Sequence, residues 1–198
     1  MTATISLIRH ASHAHLGKIL SGRMPGIGLS PAGQSEAELL ADHLRLHEFV
    51  AIHSSPVQRA RETAAAIAAG RSLEVEIAEP LNEIDFGDWT GRAFEALSDD
   101  PDWHHWNEQR AVATPPRGES MAAAQARVFA YLQRLAHDHP GENVAVVTHC
   151  DIIRAALAQV LGLSLDAFHR FDVDPASVSR IAMGDWGARV LSINEVCR

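Results

Sequence analysis

Strand-like and helix-like stretches alternate along most of this chain, and that alternation limits its fold more than any other feature. Short apolar runs at residues 5–8, 49–53, 73–77 and 143–148 read as buried strands, the last strongly β-branched. Between them lie helical patterns with their own punctuation. Ser30 is placed to cap a helix with Pro31 at its first position, and Leu39, Leu40, Leu44 and Leu46 carry an apolar stripe to about His47. Alanine-rich residues 57–69 stop at Gly70, and residues 152–161 stop at Gly162. Glu119-Ser120 opens a long helix to about His137, and two last strands are expected over residues 178–182 and 189–193. Strands separated by helices need crossover connections. The expected fold is therefore an α/β three-layer sandwich, a mostly parallel central sheet flanked by helices.

Two stretches depart from the pattern. Residues 17–28 are rich in glycine and contain Arg23-Met24-Pro25-Gly26, which reads as a loop that approaches something closely. Residues 88–118 interrupt the alternation. Their helical pattern breaks at Pro101, with Trp103 and Trp106 on one face, better read as packing than as substrate stacking. They are expected to form a helical insertion lying over the site within a single domain spanning residues 1–198.

A net charge of −8 gives nucleic acid no electrostatic invitation, though it leaves room for a local basic pocket. No apolar stretch approaches transmembrane length, and too few residues precede Arg9 for a signal peptide core, so no membrane partner is expected. Cys150 and Cys197 form no disulfide framework and suit a reducing compartment, so the expected location is cytoplasmic. Oligomeric state stays open, a homodimer included.

Three strands end alike. The first delivers Arg9 and His10, the second leads into Ser54-Ser55-Pro56 with Arg59 beyond, and residues 143–148 end in Thr148 before His149. Arg9-His10 alone is an ordinary polar strand end. Parallel strands, however, bring their carboxyl ends to one edge, where ligands bind. Two guanidinium forks and two imidazoles gathered there make a dianion site, and Arg59 on the first turn of its helix adds free backbone N–H groups.

In chain order the motifs are Leu7-Ile8-Arg9-His10, Ser54-Ser55-Pro56-Val57-Gln58-Arg59-Ala60-Arg61-Glu62-Thr63-Ala64, Leu81-Asn82-Glu83 with Gly87-Asp88-Trp89-Thr90-Gly91, and Val146-Val147-Thr148-His149. This set resembles the histidine phosphatase superfamily, which also holds the cofactor-dependent phosphoglycerate mutases. The resemblance spans nearly the whole chain. It implies phosphoryl transfer through a phosphohistidine, with no metal and no cofactor. His10 would be the nucleophile, Arg9, Arg59 and His149 the phosphoryl-binding set, and Glu83 the proton donor. Each role suits its residue: neutral imidazole is nucleophilic, fixed cations stabilise the transferring group, and the leaving alcohol needs a proton. Glu83 must then be protonated at working pH, through burial or a neighbouring carboxylate such as Asp85.

Departures from the family pattern are Ala11 where Gly is usual, Ser12-His13 where an acid or Gln precedes Thr or Ser, and Cys150 in place of Gly. The Trp-Asn that the mutases typically carry near the opening motif, and their longer chain, are not found here, which favours a phosphatase acting on a small phosphorylated metabolite, of the α-ribazole phosphate or sugar phosphate kind. Mutase-like transfer and a non-catalytic phosphate-binding member are the alternatives. Arg23 is the candidate for a second anionic group of the substrate, set against a solvated loop charge; Arg117 and Glu119 have similar standing. A cysteine phosphatase is excluded by spacing, since Arg154 follows Cys150 by four positions where Cys-x5-Arg is needed. The histidine pairs lack a carboxylate or Cys at ligand spacing, so no metal site is expected.

Overall fold

Strands buried on both faces and side-chain caps on three of the α-helices set the frame. In the computed structural model, which describes residues 1–196, β1 (Ala3–Arg9) runs through a turn-rich segment into α1 (Pro31–His43). The Ser30 side chain caps α1 by accepting the Gly33 N–H. Next come β2 (Ala51–Ser54), α2 (Gln58–Ala68) and β3 (Val75–Ile77). Two short helices, α3 (Phe94–Leu97) and α4 (Pro101–Glu108), precede the long α5 (Met121–Asp138). The chain closes with β4 (Asn143–Thr148), α6 (Cys150–Leu161), β5 (Val178–Gly184) and β6 (Gly187–Glu195). Cys197 lies outside the described residues.

The six strands run in the order β3-β2-β4-β1-β5-β6. The first four are mutually parallel, and β5 and β6 are antiparallel to their neighbours, so the sheet is mixed. Only Asp185 and Trp186 separate β5 from β6, far too few residues for a crossover. Ile5, Leu7, Val144 and Val146 enter a core with α5 and α6, whereas Ile8, Ile52, Ala145 and Val147 enter another with α1 and α2. The Val, Ile and Leu side chains among these are fully buried, each contributing about 1.5–3 kcal/mol, which locks the register of the central strands.

That register positions the site. Arg9 lies opposite Thr148 and Ser54 opposite Val147, so His10, His149 and Ser55 leave the sheet at one level. Helix ends differ slightly from expectation. α1 finishes at His43 and passes into a 3₁₀ turn at Leu44–Leu46, and α6 starts at Cys150, directly after His149. Trp106 is fully buried in the core on the α5 side, and Trp89 meets Trp103 edge-on at 5.3 Å, so both helix tryptophans serve packing. Among the described residues no helix is long and apolar enough to cross a membrane.

Candidate active site

His10 leaves β1 with its N–H on the Thr148 carbonyl, 3.0 Å away. Its ring Nδ1 lies 2.8 Å from the Ala11 carbonyl oxygen, which can only accept, so Nδ1 carries the proton. Nε2 therefore keeps its lone pair and receives the Arg59 Nε–H at 3.0 Å. Burial first, then the charges of Arg59 and Arg9, hold the His10 pKa well below the usual imidazole value. A neutral, oriented imidazole results.

The loop after His10 is held from both helices of one layer. Thr63 of α2 accepts the Ala11 N–H at 3.0 Å, and Glu36 of α1 accepts the Ser12 N–H and hydroxyl at 2.8 and 2.9 Å. Gly33 permits this approach, because a Cβ there would stand 1.8 Å from the Ser12 carbonyl oxygen. Thr63 lay inside the quoted motif. Glu36 carried no signal in the sequence.

Arg59 joins the parts. Its Nη2 donates to the Gly22 carbonyl at 2.9 Å and to His149 Nδ1 at 3.2 Å. His149 Nε2 is in turn 2.8 Å from the Ser55 hydroxyl, and its ring lies 5.1 Å from that of His10. Burial, followed by Arg59 and His10, also keeps His149 well below its usual pKa. Arg9 donates through Nη1 to the Val173 carbonyl at 2.6 Å. Two donors remain. Arg59 Nη1 and Arg9 Nε are buried with no hydrogen-bond partner among the described residues. Guanidinium N–H groups left unpaired are costly unless a ligand anion takes them.

Glu83 closes the set, with Oε2 3.6 Å from His149 Nδ1 and Oε1 accepting the Ile84 N–H at 2.9 Å. Burial first, then the Asp151 carboxylate, raise its pKa to about 7 against the opposing pull of Arg59. The neighbouring carboxylate is thus Asp151, not Asp85. Asp85 instead accepts the Gly87 N–H at 2.9 Å and lies 3.8 Å from Arg23, while Asp151 is gripped at 3.0 Å by the buried Arg110.

Arg23 also takes a different place from the one expected. Its Nε donates to the Glu83 carbonyl at 2.7 Å and its Nη2 to Glu119 at 2.8 Å, so its fork is spent on protein. Arg127 does likewise, reaching the same carbonyl at 3.2 Å and Glu119 at 2.7 and 2.9 Å. Glu119 and two arginines therefore clamp the backbone of Glu83. Removing the carboxylate in Glu119→Ala is expected to lower kcat on the order of tenfold by letting Glu83 drift, while phosphate affinity holds. Urea unfolding should register a loss between the about 1 kcal/mol of an exposed pair and the about 3–5 kcal/mol of breaking a buried one. An unchanged kcat would refute the clamp.

Arg9, His10, Arg59, Glu83 and Asp151 border one cavity of about 120 Å³. His13, Cys150, the Leu16–Gly22 loop apart from Lys18, Phe86, and Phe94 of α3 also line it. His149, fully buried and in contact with Arg59, is not part of that lining. Burial and Asp151 push the Cys150 thiol up to about 11, so it stays protonated. A wider groove of about 870 Å³ past Met24, Gln58, Arg61 and Ile77 contains none of the five residues. Among the described residues no group of three or more His, Cys, Asp or Glu is placed to hold a metal ion.

A family model for the histidine phosphatase superfamily (branch 1) matches residues 5–196. The chain is similar to phosphoserine phosphatase 1 of Hydrogenobacter thermophilus, 34% identical over 89% of this chain and 86% of that one. It is also similar to the adenosylcobalamin/alpha-ribazole phosphatase of Escherichia coli K12, 31% identical over 95% and 94% of the two chains. Among solved structures, Bacillus stearothermophilus YhfR superposes with a TM-score of 0.92 at 28% identity, covering 98% of each chain.

Proposed function

The chain belongs to the histidine phosphatase superfamily, and from that premise we propose that it is a metal-independent phosphomonoesterase working through a phosphohistidine on His10. The observation that carries this reading is the pair of buried, unpartnered donors, Arg59 Nη1 and Arg9 Nε, beside the lone pair of His10 Nε2. Phosphoryl oxygens take those donors, and the two fixed cations stabilise charge as it spreads over the transferring group. The arriving phosphoryl oxygens draw the Arg59 Nε–H off His10 Nε2, and the freed lone pair attacks phosphorus as the bond to the alcohol oxygen breaks. Glu83 gives that oxygen its proton. Water then attacks the phosphohistidine, Glu83 takes back a proton, and His10 and inorganic phosphate are released.

His149 begins as an acceptor for Arg59. Once the arriving dianion takes the Arg59 donor, the neutral tautomer that accepts the Ser55 hydroxyl at Nε2 offers its Nδ1–H to the phosphoryl group. The proposed substrate is a small phosphomonoester, of the class that the related phosphatases act on by name. Apart from Arg9 and Arg59 the cavity wall presents no Arg or Lys, and it carries the Asp151 carboxylate. A second anionic group therefore finds no partner, which favours hydrolysis over mutase-like transfer of an acidic phosphoglycerate. A pure phosphate-binding module has no use for a proton donor titrating near neutrality.

The test is phosphate release from an aryl phosphate in the presence of EDTA. Activity should persist, and activity that tracks added metal would overturn the proposal. Glu83 is protonated below about pH 7 and loses its proton above it, so kcat/KM should fall on the alkaline side through that value. Glu83→Gln should erase this limb and cost about 10²–10⁴-fold, most severely for alkyl esters with poor leaving groups. The substrate's own titration, near pH 6, should remain in both proteins.

A further inference from the structure

His13 stands in the wall of the cavity with His10, Arg9 and Arg59, yet the five-residue scheme gives it nothing to do. It is 8% exposed, and its ring centroid lies 5.4 Å from that of His10. Its Nδ1 is buried without a hydrogen-bond partner among the described residues. The backbone around it leaves little room to relieve this. Glu36 grips the preceding Ser12 by two bonds, and His13 itself bridges to Leu29. A fixed, nine-tenths buried imidazole with an unused nitrogen resembles, in kind, the unpartnered nitrogens of Arg9 and Arg59 beside it.

We propose that His13 is a further phosphoryl-binding residue, hydrogen-bonding an oxygen of the group that Arg9 and Arg59 hold. The inference rests on the reading of the cavity as a phosphoryl site. Burial, reinforced by Arg59, His15 and Arg9, holds the His13 pKa at about 4, so near neutral pH the ring offers one N–H and one lone pair. A neutral donor adds a bond to the phosphoryl oxygens without repelling the guanidiniums, which a third cation would do at such range. Leu16, Ile19 and Leu20 line the cavity too, and the one hydroxyl in that stretch, Ser21, is taken up by His15 Nδ1 at 3.1 Å.

Calorimetric binding of inorganic phosphate reads this contact without requiring turnover. His13→Leu, which keeps bulk and removes polarity, should weaken phosphate binding by roughly 10-fold or more, the scale of a lost hydrogen bond to a charged group. His13→Asn retains an amide nitrogen near Nδ1 and His13→Gln one near Nε2, and one of the two should recover most of the affinity. A Leu variant that binds phosphate as tightly as the parent overturns the proposal. So does a result in which Asn and Gln both bind as weakly as Leu while thermal unfolding is unchanged. Should the Leu variant fail to fold, the parent protein answers instead: saturating phosphate should protect a His13 ring N–H from solvent exchange in ¹⁵N spectra, and an N–H still in fast exchange overturns the proposal. Phosphate that binds the parent no better than an Arg9→Ala variant would count against the phosphoryl-site reading itself, which separates the two failures.

Discussion

Replacing His10 by alanine is expected to lower kcat/KM for an aryl phosphate by at least about 10⁴-fold, the scale seen when a covalent nucleophile is removed. The loss should be in chemistry and not in folding. His10 contributes a single ring to the cavity, and its loop stays pinned by Thr63, Glu36 and the close approach at Gly33. Binding of inorganic phosphate should survive, because Arg9 and Arg59 keep their free donors. Rapid quenching with labelled substrate should trap acid-labile phosphate on the parent protein and none on the variant. Hydrolysis that continues in His10→Ala would end the phosphohistidine mechanism, whatever its metal dependence.

Arg59→Lys should cost roughly 10²–10³-fold in kcat/KM, the usual penalty for losing a donor aimed at developing charge. The charge is conserved, so Coulomb attraction alone predicts little change. Geometry predicts otherwise. One guanidinium holds His10 Nε2, the Gly22 carbonyl and His149 Nδ1 and still keeps Nη1 free. An ammonium offers three donors from a single point and cannot span those directions. Phosphate affinity, measured by calorimetry, should fall together with kcat, since the same side chain both binds the group and aims the nucleophile. Near-parent turnover in Arg59→Lys would show that charge matters here and the fork does not.

Much of the frame could be read from local pattern. Residues 143–148 had to be a central strand because β-branched apolar residues fill both of its faces, and β4 is buried on both sides. Ser30-Pro31 marked the start of α1 through capping chemistry, and Gly162 ended α6 in a left-handed conformation. The β5–β6 pair was visible as two strands. The six residues expected between them were already too few for a crossover, so the hairpin was implicit in the spacing. The antiparallel pairing of β5 with β1 was not, because it depends on the path the chain takes after α6.

The site divides along the same line. Arg9, His10, Arg59 and His149 were legible because a parallel sheet sends successive strand ends to one edge, whereas Glu83 was legible only through the family resemblance. What surrounds them was not legible, since it depends on which distant side chains share space. Asp151, and not the nearby Asp85, loads Glu83; Arg23 braces the Glu83 backbone together with Arg127 and Glu119 and does not line the cavity that holds His10. The protonation states are of the same kind. Desolvation is the leading cause for His10, His149, Glu83 and His13 alike, and burial is a property of the packed chain. Residue order sufficed to choose the candidate residues, whereas their charge states, and the buried, unpartnered place of His13 beside them, came from the loss of water when the layers closed around them.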